Sequence, residues 1–279
     1  MEFRATHRIG GKGPAPHQFT RALRGLAVDS AGRLLAAGDS VVKVFDPRGD
    51  LLRQWTTSLP GECVAVDESG RVWVGQREQV EVFSPEGELA DTWRTPGQLG
   101  LVTAIGFGVD DVYLADATAR WVRRYDREGR LLNNIGDHHR KGGFHIPNGV
   151  VDFVVDDDGN LRVANPGMHR VERYAPDGTL LGRFGRFDGQ DPAGFPGCCN
   201  PTNLTVDDAG RVVVTEKAGP RVKVYDPEGT LLTVVADDGF DPAAKNMDVA
   251  VDGSGRIYVA DTVTLEVCVF ERTRADVTA

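Results

Sequence analysis

The sequence predicts an all-β chain folded as a six-bladed β-propeller of four-stranded antiparallel blades, with the ring closed by the N-terminal strand. Three observations carry this. A turn of the form Asp-Pro-x-Gly-x-Leu-Leu is written five times, at residues 46–52, 84–90, 126–132, 175–181 and 226–232, its glycines spaced by 38, 42, 49 and 51 residues. Self-similarity at such a period signals a propeller or a solenoid. A short apolar run closed by Asp recurs at residues 26–29, 64–67, 153–156, 204–207 and 249–252, with a degenerate copy at 104–107. Finally, the last copy runs out after Phe270 without a fourth strand, while the N-terminus holds a spare one.

The spare strand is Phe3–Gly10, whose sequence is like residues 131–136 and 180–185. Pairing it into the last blade removes two exposed edges, which an open solenoid would not need. Six blades then follow, at about residues 25–55, 63–93, 103–136, 151–185, 203–236 and 248–272 of a single domain spanning 1–279. The second shows the pattern. An apolar run (Val64 to Val66) ends in a turn, Arg71 to Gly75 follows, Gln79 to Phe83 alternates, and a Pro-Glu-Gly turn leads into Glu88 to Trp93. Tight turns between short alternating runs make a meander. The apolar first strand is expected to be buried on both faces, and the later ones to lie nearer solvent.

With 41 acidic against 32 Lys and Arg residues, the net charge is −9. Nucleic acid and anionic membranes both demand a basic surface, so neither is an expected partner. The first residues have no apolar core of a leader, and no apolar run is long enough to span a membrane. Four cysteines are too few for a disulfide framework, so a reducing cytoplasm is the expected compartment. A monomer is the expected state. There is no G-x-S-x-G, P-loop or H-E-x-x-H pattern, so Ser nucleophiles and phosphate cradles have no support.

The chain resembles an NHL-repeat propeller. The residues carrying the resemblance read Pro-x-x-x-x-Val-Asp-x-x-Gly-x-(Val/Leu)-x-Val-Ala-(Asp/Asn), clearest at 201–215, 248–261 and 153–165. It covers nearly the whole chain. It implies the propeller fold, and a function that is a protein- or RNA-binding platform in some members and a metal-dependent lyase in others. Gluconolactonase- and lactonase-like propellers are similar in architecture. No His trio of the amidating-lyase kind is found.

Function should lie where the repeats break. Four positions before each closing Asp the chain has Gly25, Cys63, Thr103, Asp152, Asn203 and Asp248, where such repeats usually begin with Gly. Three oxygen-bearing side chains from consecutive blades, with Glu62 as a fourth, suit a hard divalent cation in the channel, Ca²⁺ or Mg²⁺ ahead of Zn²⁺. The resemblance to gluconolactonase-like propellers implies the same. The alternative is polar residues that bind only water.

The second departure is in the loops. Those before blades 4 and 5, residues 136–149 and 185–201, are long and enter the same face. Long loops on a rigid scaffold are where binding residues concentrate. The candidates there are His138, His139, His145, Asn148, Cys198, Cys199 and Asn200, with Asn165, His169 and Glu216 from the adjoining turns. The vicinal cysteines stand open between buried thiols, a disulfide, and soft-metal ligation with a histidine. Two functions compete. One is a scaffold that binds a small molecule or protein on this face. The other is a metal-dependent lactonase- or lyase-type enzyme with Asp152 or Asp248 as base.

Overall fold

The computed structural model describes residues 1–94, 98–137, 139, 142–217 and 219–273. Strand β1 (Phe3–Gly10) precedes the first blade, which comprises β2 (Gly25–Val28), β3 (Leu34–Gly38), β4 (Val41–Phe45) and β5 (Leu51–Thr56). The second comprises β6 (Cys63–Val66), β7 (Val72–Gly75), β8 (Gln79–Phe83) and β9 (Leu89–Arg94). The third comprises β10 (Val102–Phe107), β11 (Asp111–Asp116), β12 (Trp121–Asp126) and β13 (Leu131–Ile135). The fourth comprises β14 (Asp152–Val155), β15 (Leu161–Asn165), β16 (Arg170–Tyr174) and β17 (Leu180–Phe184). The fifth comprises β18 (Asn203–Val206), β19 (Val212–Glu216), β20 (Arg221–Tyr225) and β21 (Leu231–Ala236). The last has only β22 (Val249–Val251), β23 (Ile257–Asp261) and β24 (Glu266–Arg272) of its own.

Each of the first five blades is a simple meander, and the sixth is ordered β1-β24-β23-β22. Strand β1 runs antiparallel to β24 from Phe3 opposite Arg272 to Gly10 opposite Glu266, with a bulge between Ala5 and His7. The chain's first strand is thus the outer strand of its last blade, which closes the ring and leaves β24 with partners on both sides.

The repeated turns owe their shape to their side chains. Asp29, Asp67, Asp207 and Asp252 each accept backbone N–H groups two and four residues on, and each is ion-paired with the arginine at the fourth. The carboxylate imitates a backbone turn and fixes where each hairpin bends. The glycine of the outer turn lies in left-handed space, φ 94° at Gly87 and Gly229, which a Cβ would strain.

The core is divided into six clusters, each between two neighbouring blades. Ile9, Leu26, Leu34, Tyr258 and Val267 pack between the sixth and first, for example, and Val163, Tyr113 and Phe153 between the third and fourth. In the first, fourth and fifth blades every residue of the second strand is buried, and the outer strand of the first blade alternates. The inner strands differ from the expectation of burial on both faces. β2, β6, β14 and β18 bury their first two residues and leave the last two half-exposed. Most of those positions line the axial channel, a cavity of about 360 Å³, where the free edge of these strands meets water. Among the described residues, no helix is long and apolar enough to cross a membrane.

Candidate functional site on the propeller axis and loop face

Of the six positions that begin the inner strands, Cys63, Thr103, Asp152 and Asp248 line the channel, whereas Gly25 and Asn203 do not, and most of the six reach to the next blade. Gly25 has no side chain, and a Cβ there would stand 2.6 Å from Cys63 Cα, so the first two blades meet through bare backbone. Cys63 Sγ donates to Val102 O at 3.6 Å, and Thr103 Oγ1 to Val151 O at 2.7 Å. Asp152 accepts from Leu204 N at 2.8 Å, and Asp248 from Leu26 N at 2.6 Å. The carboxylates expected to face a cation therefore each spend an oxygen on a neighbouring blade.

Asp152 and Asp248 line the channel, and Asn203 stands between them, its amide favouring the charged form of both. Removal from bulk water pushes the Asp248 carboxyl up to about 6. Burial, and then repulsion from Asp248, hold Asp152 well above its usual range. Asn203 Oδ1 is buried without a partner. Glu62 is turned toward Arg24, 3.8 Å away, and is not among the channel-lining residues. Among the described residues, no group of three or more His, Cys, Asp or Glu could hold a metal ion. Two carboxylates and one orphaned amide oxygen are what a hard cation would find on the axis.

On the loop face the sequence candidates divide. Asn165, Asn200 and Glu216 are buried and hold the loops in place. Asn165 Oδ1 accepts from His145 N at 3.2 Å, and Asn200 Nδ2 donates to Pro196 O and Lys217 O at 2.7 and 2.9 Å. Glu216 and Lys223 form an ion pair 2.5 Å long with both side chains at 0% exposure, and Lys223 Nζ also donates to Gly194 O. The ammonium lies 5.4 Å above the ring of Phe195, a loop residue sunk into the core. Lys43 repeats the device in the first blade, donating to Pro16 O and lying over Phe19. The fourth blade replaces the lysine with Glu172, which His139, Arg170 and Tyr174 surround. Burial alone would raise the Glu172 carboxyl, but bonds from His139 and Tyr174 and the charge of Arg170 hold it at about 2. His139 is thus a buried-network partner, and His145 Nδ1 lies 3.2 Å from Gly167 O. His138 lies outside the described residues.

Of the remaining candidates, Asn148 and His169 are half-buried and Cys198 is exposed. Asn148 Nδ2 donates to Asn246 Oδ1 at 2.8 Å, tying the loop before the fourth blade to the loop before the sixth. His169, in left-handed space at φ 54°, sits with Nδ1 3.1 Å from Phe195 O and presents its ring edge-on to Phe187 at 5.1 Å. Cys198 is an exposed free thiol with its Sγ 3.0 Å from that of buried Cys199.

Phe187 at 64% exposure and Met168 at 42% are the residues that sequence reasoning missed. Both fall in segments already singled out, but nothing in the sequence separates exposed Phe187 from Phe195, which is fully buried eight positions later.

No protein-family model matches the chain. The protein brain tumor of Drosophila melanogaster is 29% identical over 125 residues, which is 44% of this chain and 11% of that protein's length. Among solved structures, virginiamycin B lyase from Staphylococcus aureus superposes with a TM-score of 0.67 at 11% identity, covering 98% of this chain and all of that one. The WD40 β-propeller domain of Doa1 superposes with a TM-score of 0.63 at 16% identity, covering 90% of this chain and 79% of that one. At these identities the structural likenesses establish the propeller fold alone.

Proposed function

We propose that this propeller is a binding scaffold that recognises a protein partner through the loop face of blades 4 and 5. One observation carries the reading. Phe187 and Met168 stand exposed on loops that are otherwise pinned to the core by Phe195, Lys223, Asn165 and Asn200. His169 braces the Phe187 ring, and Arg186 is held by Asp188 and Asp191. A large apolar side chain kept in water at fixed orientation costs little to order on binding, and aromatic, Met and Arg residues are enriched at protein interfaces. Truncating such an anchor typically costs on the order of 2 kcal/mol, about thirtyfold in affinity. Affinity capture with the parent chain and with Phe187→Ala, followed by hydrogen-exchange mapping of the bound chain, tests the reading. Partners retained equally by both chains, or protection confined to blades 1 and 2, overturn it.

A second reading, a metal-dependent enzyme of lactonase or lyase type, draws support from the orphaned Asn203 Oδ1 between two channel carboxylates. Asp152, Asn203 and Asp248 would hold the ion, which when bound would polarise a substrate carbonyl. Titration calorimetry with Ca²⁺ and Mg²⁺ on stripped protein separates the two readings, since only the second requires heat of binding that Asn203→Ala abolishes.

A further inference from the structure

We propose that Cys198 and Cys199 form a thiol–disulfide exchange site whose substrate is a low-molecular-weight disulfide. Their sulfurs lie 3.0 Å apart, about 1 Å more than a disulfide bond. The two thiols differ in access: Cys198 is exposed, whereas Cys199 lies beneath it at 3% exposure. Rigid backbone holds them. Asn200, itself buried, binds Pro196 O and Lys217 O and accepts from Lys217 N at 2.8 Å, which clamps the cysteine loop to the turn after β19. The charge of Lys217, at the end of that clamp, acts on both sulfurs. The bond from Cys199, and then the Lys217 charge, favour the thiolate at Cys198, while burial keeps Cys199 a thiol. An exposed thiol whose ionisation is favoured, with a second, buried thiol within reach, is the arrangement of an attacking and a resolving cysteine.

The chemistry balances in two steps. Cys198 Sγ attacks one sulfur of the external disulfide, forming a mixed disulfide and expelling one thiolate, which takes up a proton. Cys199 then loses its proton and attacks Cys198 Sγ, forming the vicinal disulfide and releasing the second thiol. The chain is oxidised by two electrons and the external disulfide is reduced by two. Cys63 and Cys268 are buried and take no part.

The test uses the full reduced chain and oxidised glutathione, read by intact mass and peptide mapping. The parent should lose two titratable thiols, gain a bond between residues 198 and 199, and retain no glutathione. Cys199→Ser should stop with one glutathione on Cys198, and Cys198→Ser should react at least about tenfold more slowly. A stable glutathione adduct on the parent, or Cys198→Ser reacting as fast as the parent, overturns the proposal. Circular dichroism checks that the variants fold. Phenylarsine oxide on the parent alone supplies a reading independent of them. One equivalent bound, resistant to a monothiol and released by a dithiol, supports the site, and failure to bind refutes it.

Discussion

The carboxylate of Asp248, in the last blade, accepts a 2.6 Å hydrogen bond from the backbone N–H of Leu26, in the first, across 222 residues of chain. This bond closes the ring at its axle, as the pairing of β1 with β24 closes it at its rim. The other carboxylate oxygen accepts from Val249 N at 3.0 Å, so an asparagine, with one acceptor oxygen, keeps the bond to Leu26 and gives up the other. Asp248→Ala should therefore destabilise the fold by about 1.5 kcal/mol, while Asp248→Asn should lose a smaller part of that. Urea unfolding measures both, with Asp208→Ala on the exposed surface as the control.

Closure at the rim predicts a larger effect. Removing residues 1–10 unpairs the whole edge of β24 and deletes Ile9, which is 2% exposed, from the cluster between the sixth and first blades. The truncated chain should melt well below the parent. The milder Ile9→Ala should cost about 2–5 kcal/mol by the cavity it leaves. A truncated chain with the parent's thermal transition would show that β1 is dispensable.

Lys223 and Glu216 are wholly buried, so their removal one at a time should hurt more than their removal together. Lys223→Met leaves the buried carboxylate with only the longer contact to Arg221, 4.0 Å away, and should cost about 3–5 kcal/mol. Adding Glu216→Gln should restore a large part of that loss. A double-mutant cycle in urea checks the coupling, and simple additivity of the two changes would contradict it.

Glu172 should make the fold sensitive to acid. Its folded-state value, about 2, lies below its ordinary 4.5, so the folded chain binds fewer protons than the unfolded one between those limits. The stability it contributes is complete above pH 4.5 and is lost as pH falls toward 2. The difference in unfolding free energy between the parent and Glu172→Gln should shrink steadily over that window. A difference that does not change with pH would mean that His139, Tyr174 and Arg170 do not stabilise the carboxylate.

The ring was legible in the chain alone. The turns at Gly49, Gly87, Gly129, Gly178 and Gly229 and the apolar runs closed by Asp are local signals, because a turn is specified by residues two to four apart. The missing strand after Phe270 and the spare one at Phe3 were also legible, since strand count is arithmetic on those signals. The roles of individual polar residues were not. Asn165 and Glu216 stood out as departures from the repeat, yet whether a departure faces a ligand or a buried partner depends on what lies across from it. Glu216 meets Lys223 on the next strand, and Asn165 meets a loop twenty residues back. Phe187 and Phe195 have the same chemistry in the same loop, and only the tertiary structure sinks one over Lys223 and leaves the other in water. The physical reason is that burial is a property of the assembled blades. Period and turn chemistry are written along the chain, whereas desolvation and charge pairing exist only once distant strands have come together.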